Sequence, residues 1–144
     1  MGKKTIITKE ENSEVAKEKV PATVAVPKKK VSAGVLNIEA TFNNTKLTLA
    51  DKSGNTLAWS SAGSIGFSGT KKGTPFAASK VGDSLAEKAL TMGIKEVDVV
   101  IRGVGPGREP ALRGFMGRGI EISSIHDSTP IPHNGPKLPK PRRV

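Results

Sequence analysis

The sequence predicts an α/β fold, a mixed five-stranded sheet with two helices packed on it, held between two basic arms. Three observations lead there. Residues 34–126 carry short apolar runs of strand period and two runs of helical period, in the order β-β-β-α-β-α-β. Turn formers such as Asn43-Asn44 and Ser53-Gly54-Asn55 separate them. Residues 1–33 and 127–144 lack such periods; the first segment is rich in lysine and the second in proline, lysine and arginine.

Each element has its own signal. Residues 1–33 are polar, interrupted by Pro21 and Pro27 and closed by Lys28-Lys29-Lys30. Only a short helix near residues 11–19 is expected there before a partner binds. VLNIEATF (35–42) alternates, with Leu36, Ile38, Ala40 and Phe42 on one face. TKLTLAD (45–51) pairs Leu47 with Leu49, and TLAWSSA (56–62) puts Leu57 and Trp59 together. Tight Asn/Gly turns make these three strands an antiparallel meander.

GSIGFSGTKKG (63–73) is a glycine-rich loop bearing Phe67, Lys71 and Lys72. Thr74 then caps a helix that Pro75 starts. Its stripe is Ala78, Val81, Leu85, Ala89 and Met92; Gly82 and Ala86 allow close packing, and Gly93 ends it. VDVVI (97–101) is apolar enough to be covered on both faces. GVGPG (103–107) leads into a second helix, about 109–117, weakened by Gly114 and Gly117. IEISSI (120–125) is the last strand, and the final two strands are reached by parallel crossovers.

The totals exclude several classes. A chain of 144 residues suits one domain, 34–126, with an amino-terminal arm and a carboxyl-terminal tail. There is no cysteine, and His126 and His133 are too few for zinc, so neither metal nor cofactor is expected. No apolar run approaches the ~20 residues of a membrane span, and the first residues match neither a secretory signal nor a myristoylation or transit pattern. A cytoplasmic product is expected. Lys+Arg 23 against Asp+Glu 13 leaves +10. By segment this is 8 − 4 = +4 for residues 1–33, 11 − 8 = +3 for 34–126 and 4 − 1 = +3 for 127–144. Basic charge concentrated at two ends points to a polyanion, with counterion release supplying much of the affinity.

Several motifs fail on inspection. GVGPGRE is not a dinucleotide fingerprint, because its third glycine would fall at Arg108, and no Gly-Lys pair is placed as in a Walker loop. What remains is a turn with backbone amides and Arg108 facing outward, suited to phosphate. Glu39, Glu87 and Asp98 could be nuclease carboxylates only if they converged on shared ions within ~4 Å, and each reads instead as a solvated side chain. His126-Asp127 makes no triad, since no serine sits in a nucleophile elbow. Among the aromatics, Phe42, Trp59 and Phe76 belong by pattern to the core. Only Phe67, beside two lysines, is placed to stack on a base. Backbone and shape recognition of RNA is the expectation.

DSTPIPHNGPKLPKPRRV, residues 127–144, has prolines at 130, 132, 136, 139 and 141. Eighteen residues at ~3.1 Å each make a spacer of about 55 Å. Lys137, Lys140, Arg142 and Arg143 ride on it, spaced to meet phosphates. Pro136 and Pro139 would also fit the P-x-x-P of an SH3 ligand, a reading that leaves the other basic arm unexplained.

TFNNT (41–45), GTKKGTPFAA (69–78), GVGPGRE (103–109) and the tail, in this order, closely resemble the family of bacterial small-subunit ribosomal protein eleven. The likeness covers residues 33–144. It implies a ribonuclease-H-like fold without the nuclease's activity, and no cofactor. It implies a place on the platform of the small subunit, bridging helices of 16S-type rRNA and lining the cleft that holds the duplex between messenger and rRNA 3′ end. Proteins seven and eighteen of that subunit would be neighbours, with initiation factor three nearby. By position it assigns rRNA contact to Asn43, Asn44 and Thr45, and to Gly69, Lys71, Lys72, Thr74 and Pro75 of the basic loop. Gly105, Gly107 and Arg108 form the glycine turn, and Pro130, Pro132, His133, Asn134 and Gly135 open the tail. Phe67, Arg113, Lys137, Lys140, Arg142 and Arg143 complete the expected set. Residues 1–32 are longer and more acidic than the family's arm. Pro110, Gly114, Phe115 and Gly117 alter the second helix, and Pro136 and Leu138 thin the tail's charge.

Overall fold

Strand alternation and one shared apolar face build the molecule, a computed structural model that describes residues 30–143. The helix expected near residues 11–19 lies outside the described residues. The elements run β1 (Ala33–Ala40), β2 (Thr45–Asp51), β3 (Thr56–Ser61), a 3-10 turn (Gly69–Gly73), α1 (Pro75–Met92), β4 (Glu96–Arg102), α2 (Arg108–Met116) and β5 (Glu121–Asp127). The sheet order is β3-β2-β1-β4-β5. The β1–β2 and β2–β3 pairs are antiparallel, whereas β1–β4 and β4–β5 are parallel. This is the expected α/β class and element order, with the meander on one side and the parallel crossovers on the other.

Inward side chains of β1, β2 and β4 meet both helices in a single core. Leu36, Ile38, Leu47, Leu49, Val97 and Val99 face Ala78, Val81, Leu85 and Ala89 of α1 and Ala111 and Phe115 of α2. Both helices therefore cover the same face, as two right-handed crossovers advancing in one direction require. Among the described residues, no helix covers the sheet's other face. This corrects the expectation that β4 is covered on both sides: Val97, Val99 and Ile101 are buried, while Asp98 and Val100 are half-buried on that other face.

Three aromatics expected in the core are at the surface, with Phe42 72%, Trp59 56% and Phe76 64% exposed. Phe42 falls beyond the end of β1, in the turn to β2. In β3 the pairs Leu47↔Ser60 and Leu49↔Ala58 turn Ser60 and Ala58 inward, which sends Trp59, opposite Thr48, outward. Phe76 occupies the first turn of α1 on its outer side, where Lys80 Nζ stands 5.6 Å from its ring centre.

α1 begins and ends as its sequence demands. Thr74 Oγ1 accepts from Ala77 N at 3.3 Å, Pro75 follows, and Gly93 closes the helix at φ 85. The smallest residues set the spacing of the helix pair. A Cβ at Gly82 would stand 2.3 Å from the Ala111 carbonyl oxygen, and one at Gly114 equally close to the Ser79 carbonyl oxygen, 2.3 Å. Gly114 thus gives up helix propensity in exchange for contact.

Gly82→Ala provides a test with opposing terms. Intrinsic propensity favours alanine by ~1 kcal/mol, whereas wedging the helices apart costs about 1–3 kcal/mol. Net destabilisation in a denaturant titration is the expected outcome; a more stable variant would show that the helices are not packed this closely.

Candidate nucleic-acid interface

Direction gathers the motifs in one place. β1, β4 and β5 run parallel, so Ala40, Arg102 and Asp127 end at the same edge of the sheet. There β2 begins, and there α1 and α2 start. The turn 41–44, the basic loop, the glycine turn and the root of the tail all lie at this carboxyl-terminal end. Open α/β sheets generally present their ligand-binding loops there.

The 41–44 turn is the hub. Thr41 N donates to Asn44 O at 2.9 Å, and Asn44 N donates to Thr41 Oγ1 at 3.1 Å. Two loops press on its backbone through glycine. A Cβ at Gly73 would lie 2.2 Å from the Phe42 carbonyl oxygen, and one at Gly105 2.2 Å from that of Thr41. Gly105 N also donates to Ala40 O at 2.9 Å. Phe42 and Asn43 are exposed at the crest, Asn44 is half-buried and Thr45 is buried. The Asn44 Oδ1 and Thr45 Oγ1 atoms are buried, with no hydrogen-bond partner among the described residues.

The basic loop contributes charge at its rim. Lys71 is exposed and Lys72 half-buried, Gly69 takes φ 58, and Pro75 is exposed. The Thr74 hydroxyl donates to Lys71 O at 2.7 Å, tying the loop to the start of α1. Phe67 is half-buried against the core and meets Phe76 edge-on at 6.0 Å, so the more accessible rings at this end are Phe42 and Phe76. Their exposure was hidden in the sequence because both adjoin regular elements.

The glycine turn differs from its expectation. Gly105 and Gly107 are buried against the hub, and the Gly105 amide is spent on Ala40. Arg108 does not face outward. Its guanidinium donates to Gly103 O, to Asp127 Oδ2 and, at 3.1 Å, to Thr129 Oγ1. It is a clamp that fastens the root of the tail to the β4–α2 turn. Arg113 is exposed and pairs with Glu109 one turn earlier.

Asp127 and Thr129 complete this clamp and were not singled out in the sequence, although D-x-T is a familiar self-capping turn. Thr129 donates to Asp127 Oδ1 through its amide at 3.0 Å and its hydroxyl at 2.6 Å. Hydrogen bonds from the Thr129 side chain first, then from Arg108, hold the Asp127 carboxyl down at about 2 against its ordinary 3.8. Beyond it, Pro130, Pro132, His133, Asn134, Gly135, Lys137, Lys140, Arg142 and Arg143 are all exposed and belong to no helix or strand. Asn134 takes φ 55 within a bend of the thread.

The carboxylates weighed as a nuclease site do not converge. Glu39 pairs with Lys46 at 3.1 Å and Asp98 accepts from Ser124 at 2.7 Å, both on the face away from the helices. Glu87 pairs with Arg118 at 2.7 Å in the helical layer, on the opposite side.

Fold and site together define a two-layer α/β protein of the ribonuclease-H-like strand order, with a basic loop cluster and a cationic tail issuing from one end. Comparison with known proteins makes this specific. Residues 34–143 match the family model for ribosomal protein S11. A small ribosomal subunit protein uS11 from Thermotoga maritima is 58% identical over 118 residues, which is 81% of this chain and 91% of that protein. Proteins of the same name from Acaryochloris marina and Rippkaea orientalis are 52% and 51% identical, each over 81% of this chain and 90% of the relative. The chain belongs to the ribosomal protein S11 family.

The clamp makes a pH prediction. A carboxyl depressed in the folded state adds stability that is complete above its ordinary value of 3.8 and is lost as pH falls through about 2. The Thr129 amide resonance should therefore hold its position as pH drops through the usual carboxylate range, and Asp127→Asn should shift it at neutral pH. A Thr129 transition near the ordinary carboxylate value would mean that the clamp does not form.

Proposed function

We propose that this protein is a structural component of the small ribosomal subunit, binding 16S-type rRNA with the carboxyl-terminal end of its sheet and with its tail. One observation carries the reading: three motifs far apart in sequence meet at one end of the sheet, where the tail also leaves the domain. Family membership and relatives named as small ribosomal subunit proteins support it.

In this reading residues 34–126 are a rigid body. Phe42, Asn43 and the Lys71-Lys72 loop approach the RNA backbone, and residues 127–144 thread between its helices. Lys137, Lys140, Arg142 and Arg143 neutralise phosphates, and proline lowers the entropy lost when the thread docks. Arg108 contributes by fixing the direction in which the tail departs; Arg113, already paired, lies at the margin. The family resemblance extends the proposal to the subunit platform, to the cleft for the duplex of messenger and rRNA 3′ end, and to proteins seven and eighteen as neighbours, with initiation factor three close by. The site of action is then the ribosome of the bacterial cytoplasm.

The test replaces Lys137, Lys140, Arg142 and Arg143 with alanine and follows binding to rRNA against salt. Each phosphate contact removed lowers the slope of log affinity against log salt by roughly 0.9, so affinity falls most at low salt while the domain's circular dichroism is unchanged. Wild-type affinity and slope in the variant would remove the tail from the interface.

A further inference from the structure

Three large apolar side chains stand exposed at the basic end of the sheet: Phe42 72%, Phe76 64% and Val104 63%. Lone exposed apolar groups are ordinary, but these belong to the segments that meet at the hub. Phe42 is in the turn itself. Val104 precedes Gly105, whose amide donates to Ala40 O at 2.9 Å, and Phe76 follows the basic loop. The core does not use the Phe42 ring, whereas Phe67 packs against it.

The exposed rings differ in what they already touch. Phe76 meets Phe67 edge-on at 6.0 Å and has Lys80 Nζ 5.6 Å from its centre. Phe42 has no such aromatic or cationic neighbour among the described residues, so its π-face is free. Its anchor is nonetheless fixed. Thr41 Oγ1 donates to Asn44 O at 3.1 Å, and Gly73 presses on the Phe42 carbonyl. Only the side-chain torsions of Phe42 remain to be ordered when something settles on the ring, which is a small cost.

We propose that Phe42 is a stacking platform for an unpaired nucleobase, with the Lys71-Lys72 loop meeting phosphates of the same strand. This rests on the RNA-binding reading above and names what the crest takes from the RNA. Bases inside a duplex present only their edges, whereas a looped-out or bulged base offers the face that an aromatic ring needs. The sequence pointed to Phe67 for this task; the fold packs that ring on the core and leaves the position to Phe42. An apolar side chain of another protein would also cover the ring, but the charge around it favours RNA. Lys71 is exposed at the rim, and the tail leaving this end carries Lys137, Lys140, Arg142 and Arg143 with no acidic residue after Asp127.

The test titrates the full chain and its Phe42 variants with small-subunit rRNA over a range of salt. Phe42→Ala and Phe42→Leu should each bind about ten-fold more weakly, the loss of one base stack. Their slope of log affinity against log salt should stay at the wild-type value, because no phosphate contact is removed. Phe42→Trp should bind as tightly as wild type. In a Trp59→Phe background the introduced indole should be quenched by rRNA and not by inorganic polyphosphate, which has phosphates but no bases. The ring is exposed, so thermal melts matching wild type serve as the control. Wild-type affinity in Phe42→Ala would overturn the proposal. Wild-type affinity in Phe42→Leu would overturn it too, by reducing the contact to apolar cover. Loss of subunit assembly with rRNA affinity intact would assign the ring to a protein instead. Each of these leaves the ribosomal reading standing, whereas a wild-type chain that does not bind rRNA removes both.

Discussion

Close backbone packing on the turn between β1 and β2 is the constraint from which the rest of the molecule follows. Gly73 and Gly105 approach the carbonyls of Phe42 and Thr41 at separations that leave no room for a side chain. Any Cβ there would push one loop away from the turn, and interiors packed at crystal density do not absorb such a change cheaply. Because the basic loop leads into α1 and the glycine turn into α2, these contacts also fix where both helices begin. The helices then descend across one face of the sheet and meet through Gly82 and Gly114.

That arrangement separates rigid parts from adaptable ones. The hub is closed by the Thr41–Asn44 hydrogen bonds and wedged by two glycines while its crest is exposed, so it presents a fixed shape to a partner. The tail holds no regular structure beyond Asp127, yet its origin is fixed by Arg108, Asp127 and Thr129. Fixing the root of a proline-rich chain limits the directions it explores, so fewer conformations are lost when it docks. Arginine suits the clamp because its planar fork serves a carbonyl, a hydroxyl and a carboxylate together. A lysine would offer one point charge for the same three acceptors.

Much of this was legible in the sequence. The element order followed from periodicity, the span of α1 from Thr74, Pro75 and Gly93, and the basic surface from lysine and arginine placement. Leu36, Ile38, Val81, Leu85 and Val99 could be read as core because each recurs at the period of its element. Phe42, Trp59 and Phe76 could not. A large apolar residue at a plausible position looks buried until register and element ends are known, and a bulge between Leu49 and Ala50 shifts the pairing of β2 with β3.

The sequence by itself determined the local elements, the net charge and the extended tail, because these depend on neighbours along the chain and on side-chain chemistry alone. Only the tertiary structure decided that both helices cover one face, that Arg108 turns inward to hold Asp127, and that Glu39, Asp98 and Glu87 stand apart. Those outcomes depend on strand order and on distances between residues remote in sequence. Local pattern carries no information about such pairs: what a side chain touches there is fixed by how the whole chain closes.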